Sequence, residues 1–116
     1  KVGDFMKLII NKKKLNIVEK NNFFEKLKGI KFVLEPIKDA YRFKSHYANT
    51  YFLFQRVDII MTDENNKVLY IYPNCKTEKL IFPKFNVKYV YFLPLETTKD
   101  LEINQILKIS KPKEKN

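Results

Sequence analysis

"VDIIMTDENNKVLYIY", residues Val57 to Tyr72, decides the fold class of this 116-residue chain. Two apolar, β-branched runs flank the polar tetrad Asp63–Asn66, the pattern of two antiparallel strands joined by a turn. Side chains alternate across a strand, so Val57, Ile59 and Met61 share one face, and Asp58, Ile60 and Thr62 share the other. A carboxylate therefore stands second in an otherwise apolar strand. A buried carboxylate is unfavourable unless it is hydrogen-bonded. Asp58 is thus expected either to accept bonds from a neighbouring loop and pin the strand start, or to serve as a polar anchor in a ligand pocket.

Outward from this hairpin, the same logic marks further strands. "MKLIINKKKLNIVEK" (Met6 to Lys20) predicts a hairpin in which Leu8, Ile10, Leu15 and Ile17 alternate around an "NKKK" turn. "TYFLF" (Thr50 to Phe54), "KTEKLIF" (Lys76 to Phe82), "VKYVYFL" (Val87 to Leu93) and "NQILKIS" (Asn104 to Ser110) are four more strand candidates, with Pro83 and Pro94 as boundaries. One short helix is expected near Asn22–Gly29, with Asn22 as its amino-terminal cap, Glu25 completing a capping box and Gly29 ending it. Between Ile30 and Asn49, Pro36 interrupts any regular element, and short extended pieces with a loop are expected. The predicted fold is mainly β, or α+β with little helix: a barrel- or sandwich-like antiparallel sheet with one short helix. The length predicts a single domain over residues 1–116, with an ordered core of about 6–110 and a flexible tail at 111–116. Met6-Lys7 fits a natural start, which leaves open whether Lys1–Phe5 are native.

The formal charge is +10, carried by 21 lysines and only two arginines, Arg42 and Arg56. Residues 1–44 hold twelve cations against five acids, residues 45–106 seven against seven, and residues 107–116 four against one. Scarce arginine and a neutral middle argue for a solvated lysine surface over a base-reading nucleic-acid site. Tyr70, Tyr72, Tyr89 and Tyr91 alternate along two strands, which suits core or cross-strand packing better than a base-stacking platform.

Catalytic signatures are absent from the sequence pattern. Cys75 and His46 are the sole cysteine and histidine, and neither lies in a nucleophile motif. One cysteine allows no internal disulfide, and the chain lacks the four Cys or His ligands of a structural zinc site. The "DENN" turn lacks the spaced ligands of a calcium loop, and with only Gly3 and Gly29 there is no phosphate-cradling loop. No cofactor or metal is expected, and the reading leans away from an enzyme. No apolar run approaches the roughly 18 residues of a membrane span. No signal peptide is visible, and the compartment, cytoplasmic or extracytoplasmic, stays open.

Three segments together carry a family resemblance. "FFEKLKGIKF" (Phe23 to Phe32) follows the first hairpin, then comes "TYFLFQRVDIIMTDENNKVLYIYPN" (Thr50 to Asn74), then "YVYFLPLETT" (Tyr89 to Thr98). In order and spacing the chain resembles the small prokaryotic family called domain of unknown function 192, over roughly Met6 to Ile109. Asp58 matches that family's strand-opening aspartate, and Leu93-Pro94-Leu95-Glu96-Thr97 matches its leucine-proline, small residue, glycine, threonine turn. The chain departs from the pattern at three places: Asn49-Thr50 replaces a tryptophan-methionine or histidine-threonine pair, Arg56 replaces a proline, and Glu96 replaces the glycine. The resemblance implies a compact, mostly β, non-catalytic or uncharacterised module. A pocket or structural polar anchor is expected at Asp58, Asn49 and Thr50, with a small ligand or a protein as partner. The runner-up is a lysine-driven nucleic-acid-binding β module, and an enzyme of unrecognised type comes third.

Overall fold

The computed structural model describes residues 6–20, 36–50 and 55–110. The hairpin at its centre consists of β5 (Val57–Thr62) and β6 (Val68–Cys75), paired antiparallel. Its turn is built by two side chains. The Asp63 carboxylate accepts the N–H groups of Asn65 at 2.8 Å and Lys67 at 2.9 Å. Asn66 takes a left-handed φ of 63°, which asparagine tolerates better than most residues.

Seven strands form one sheet that curls into a half-barrel, in the order β6-β5-β8-β3-β2-β1-β9. The remaining five are β1 (Lys7–Ile10), β2 (Lys13–Lys20), β3 (Ala40–Lys44), β8 (Tyr89–Leu93) and β9 (Lys108–Ser110). A separate two-stranded ribbon joins β4 (Ala48–Asn49) to β7 (Leu80–Ile81). The fold is mainly β, as the sequence predicts.

A hydrophobic core lies on each face of the sheet, and strand alternation fills both. On β5, Val57, Ile59 and Met61 enter one core and Ile60 the other. On β8, Val90 and Phe92 join the first, and Tyr91 and Leu93 the second. All six β5 residues are buried, so this strand has no solvent face. Phe43 and Phe92 meet edge to face, with ring centroids 5.0 Å apart. Each such side chain contributes about 1.5–3 kcal/mol when fully buried, so the middle strands dominate the hydrophobic stabilisation.

Several boundaries differ from expectation. The first hairpin turns on Asn11 and Lys12 alone, because Asn11 takes φ 57° and Ile10 already faces Lys13. The expected strand Lys76–Phe82 shrinks to Leu80–Ile81, because Glu78 turns left-handed at φ 57°. Of the short extended pieces expected before Asn49, one is β3, which takes an inner place in the sheet that the sequence pattern does not indicate. β3 pairs parallel with β2, the one parallel contact among the described strands, and such a pair needs a crossover instead of a hairpin. The predicted helix at Asn22–Gly29, the strand residues Tyr51–Phe54 and the tail at 111–116 lie outside the described residues.

Candidate functional site

Asp58 is 1% exposed. Its Oδ1 accepts the backbone N–H of Asn74 at 2.8 Å. Its Oδ2 accepts both the backbone N–H of Thr98 at 2.9 Å and the Thr98 hydroxyl at 2.8 Å. No cation is needed, because three neutral donors converge on one carboxylate.

Local irregularities aim those donors. Between the pairs Val57↔Cys75 and Ile59↔Tyr72, β6 carries one residue more than β5. This bulge contains Pro73 and Asn74, and Asn74 sits at φ 49°. Bulges re-aim backbone groups, and here the Asn74 N–H swings onto Asp58. Proline is tolerated there because β6 is an edge strand. On the other side, β8 ends at Leu93 and the chain reverses through Pro94-Leu95-Glu96-Thr97. The Thr97 N–H donates to the Pro94 carbonyl at 3.2 Å, and Glu96 has φ 69° and ψ 4°. These are the angles of the third residue of a type II turn, a position that favours glycine. A 3-10 turn, Thr97–Asp100, follows at once and presents Thr98 to Asp58.

Asp58 also borders a cleft of about 500 Å³. Ile71, Pro73, Leu95 and Leu101 form its apolar wall, and Asp58 and Thr98 its polar floor. Glu96 and Lys99 stand at its rim as an exposed ion pair 3.9 Å apart, a contact of little energetic weight. Oδ1 of Asp58 accepts one hydrogen bond among the described residues, so a second acceptor position on that oxygen is unused.

Asn49 and Thr50 are elsewhere. Asn49 pairs with Leu80 in the β4–β7 ribbon. Thr50 is buried, and its hydroxyl donates to the Lys76 carbonyl at 2.7 Å and accepts the Lys79 N–H at 2.8 Å. That pair of bonds fastens the turn containing Glu78, and neither residue lines the Asp58 cleft. His46 and Cys75 line different cavities, and burial pushes the Cys75 thiol up, away from the thiolate a nucleophile needs. Among the described residues no three His, Cys, Asp or Glu side chains gather as metal ligands.

One polar cluster, buried at Arg42 and Tyr91 and open to solvent at Glu19, carries no motif in the sequence. Arg42, 8% exposed, donates from Nε to Glu19 Oε2 at 2.8 Å, and its Nη2 reaches the same oxygen. Its Nη1 donates to the Tyr91 hydroxyl at 3.2 Å, which donates in turn to Asn66 Oδ1 at 2.6 Å. The guanidinium also lies 4.6 Å from the Tyr89 ring centroid. Burial pushes Arg42 down, but its bonds to Tyr91 and Glu19 outweigh that and hold it above its ordinary value. Burial pushes the Tyr91 phenol up, with Arg42 pulling the other way. The cluster ties β2, β3 and β8 to the hairpin turn. The one available signal was a rare arginine amid lysines, inside the apolar run Ala40–Phe43.

Of the four alternating tyrosines, Tyr91 is buried and Tyr89 half-buried. Tyr70 and Tyr72 lie on the edge strand β6 with near-parallel rings 6.5 Å apart.

No protein-family model and no curated protein matches the sequence. Two crystal structures share the fold. A candidate transcription regulator from Sinorhizobium meliloti is 13% identical with a TM-score of 0.70, over 91% of each chain. A protein of unknown function from Novosphingobium aromaticivorans is 16% identical with a TM-score of 0.69, over 91% of this chain and 83% of that one. At these identities the likeness is one of fold alone.

Proposed function

We propose that this chain is a non-catalytic binding domain of the domain of unknown function 192 type, and that it takes its ligand in the Asp58 cleft. The observation that carries this reading is the cleft itself: an apolar wall facing a buried, rigidly held carboxylate with an unused acceptor position. Such a site suits a ligand with an apolar body and a hydrogen-bond donor at one end. Two features support the family resemblance. The strand-opening aspartate bonds to Thr98, directly after the motif turn, although the two lie far apart in sequence. Glu96, where the family carries glycine, has the left-handed backbone that glycine favours.

The test is a fragment screen followed through backbone amide shifts in nuclear magnetic resonance spectra. Hits are expected to cluster on Asn74, Thr98 and Leu101, and to vanish in Leu95→Arg, which puts a charged chain against the apolar wall. Hits scattered over the surface, or hits that persist in that variant, reject the cleft as the site.

Lysine-driven nucleic-acid binding is the weaker reading. Tyr91 lies in the core, leaving the Tyr70–Tyr72 pair with Lys84 5.4 Å from the Tyr70 ring. Any such binding is expected to be sequence-independent and to fall steeply with salt.

A further inference from the structure

Far from the cleft, the fold exposes large apolar side chains where nothing in the core requires them. We propose that the Phe82–Phe85 loop docks the protein reversibly on an anionic phospholipid surface. Strand alternation in β7 turns Ile81 inward, at 3% exposed, and leaves Leu80 and Phe82 outside. Phe82 is 67% exposed. Pro83 then leads into a turn, in which the Val87 N–H donates to the Lys84 carbonyl at 3.4 Å and Asn86 takes φ 69°. That geometry sets Phe85 at the corner of the turn, 88% exposed. Two solvent-exposed phenylalanines thus bracket Pro83-Lys84.

Charge complementarity selects the partner. The loop is bonded to the one after β3: the Lys84 N–H donates to the His46 carbonyl, and the Ser45 N–H to the Lys88 carbonyl, both at 3.0 Å. Residues 44–47 and 79–88 together hold Lys44, Lys79, Lys84 and Lys88, and no acid. Acids border this patch at its edges: Glu78 precedes Lys79, and Asp63 and Glu64 line a cavity with Asn86 and Lys88, leaving Lys44 and Lys84 as the lysines that no acid adjoins there. Exposed aromatic rings, with lysines whose stems can lie along the apolar boundary and whose ammonium groups reach phosphate, match an anionic bilayer interface. A single-stranded nucleic acid asks instead for rings laid along a groove that follows its backbone. A second copy of this chain would set lysine against lysine.

The experiment is co-sedimentation with vesicles of phosphatidylcholine alone, or of equal parts phosphatidylcholine and phosphatidylglycerol. Binding is expected to the anionic vesicles at about 150 mM salt, to weaken at higher salt, and to be lost on neutral vesicles. Phe82→Ala/Phe85→Ala is expected to weaken it by about tenfold or more, and Lys84→Gln by about fivefold. Thermal melts should leave the double-alanine variant as folded as the parent, because both rings are exposed, and should show at most a small loss for Lys84→Gln, whose side chain is half-buried with its ammonium over the Tyr70 ring. Absent anionic-vesicle binding, or binding indifferent to the phenylalanine pair, overturns the proposal. So does a loop that captures an oligothymidylate or self-associates in sedimentation, in a phenylalanine-dependent way, while ignoring vesicles.

Discussion

Strand β8 begins beside one surface and ends beside another, and the two are opposites. At its carboxyl end, beyond Leu93, the chain folds back so that both oxygens of a buried acid accept hydrogen bonds, with one acceptor position on Oδ1 left over. At its amino end, before Tyr89, the chain leaves two phenylalanines in solvent beside a row of lysines. The first arrangement stabilises the fold and frames a cleft. The second contributes little to the folded state and marks a surface that meets something else. A residue's weight in stability should therefore follow its end of the sheet.

The largest effect is expected at Asp58. Asp58→Ala leaves two N–H groups and a hydroxyl unpaired in a buried site, and should cost about 3–5 kcal/mol. Asp58→Asn keeps an acceptor but sets an amide NH₂ against one group of donors, so about half that loss is expected. Urea denaturation of the three proteins measures both. Equal stability of the parent and the alanine variant would end the account of Asp58 as an anchor.

This anchor was only partly legible in the sequence. Asp58 was conspicuous because a charge in an apolar strand demands partners. The partners themselves lie 16 and 40 residues away, and one is aimed by a bulge whose position no alternation pattern reveals. The central hairpin was legible because Asp63 and Asn66 are turn-formers flanked by clean alternation. The bounds and the inner place of β3, expected only as one of several short extended pieces, were hidden for the opposite reason. Its alternation is broken by Arg42, whose buried guanidinium bonds to Glu19 and Tyr91 on two other strands. The end of the expected strand at Lys76 was hidden as well, since nothing local announces that Glu78 turns left-handed to meet Thr50.

A middle-sized effect is expected at Tyr91, between the two ends. Tyr91→Phe removes an acceptor for Arg42 and a donor to Asn66, at about 1–2 kcal/mol near neutral pH. The parent should also lose stability at alkaline pH in a way the variant does not. The buried phenol titrates higher than in the unfolded chain, so above about pH 10 the unfolded state has released a proton that the folded state still holds. This contribution is complete below the unfolded value and is lost as pH rises through the raised folded value. Melts at neutral and alkaline pH should therefore show the gap between parent and variant closing as pH rises.

At Glu96 the sign reverses. A residue with a Cβ at φ 69° is strained, and glycine is not, although glycine also adds freedom to the unfolded chain. Glu96→Gly should raise stability by about 0.5–1 kcal/mol, the gain expected where a left-handed position receives its preferred residue. Glu96→Ala serves as the control. It discards the weak ion pair with Lys99 while keeping the Cβ, so it should bring no such gain. A glycine variant no more stable than the alanine variant would break the proposed likeness between this turn and the glycine turn of the family it resembles.

The smallest effect is expected at the other end of β8, and its smallness is what makes it informative. Phe85→Ser replaces a large apolar ring with a hydroxyl, which in the core would be among the most damaging changes available. At the corner of the Lys84–Val87 turn the ring is 88% exposed and the turn depends on Asn86, not on Phe85. The expected change in unfolding free energy is within about 0.5 kcal/mol, as for surface sites generally. Its neighbour Ile81 supplies the contrast: Ile81→Ala, at a site 3% exposed, should cost about 2–5 kcal/mol. The two substitutions, four residues apart, separate a residue that holds the fold from one held out by it. If Phe85→Ser instead destabilises the protein as Ile81→Ala does, the ring is covered in solution. A concentration-dependent midpoint in the parent, lost in the serine variant, would then identify the cover as another copy of the chain.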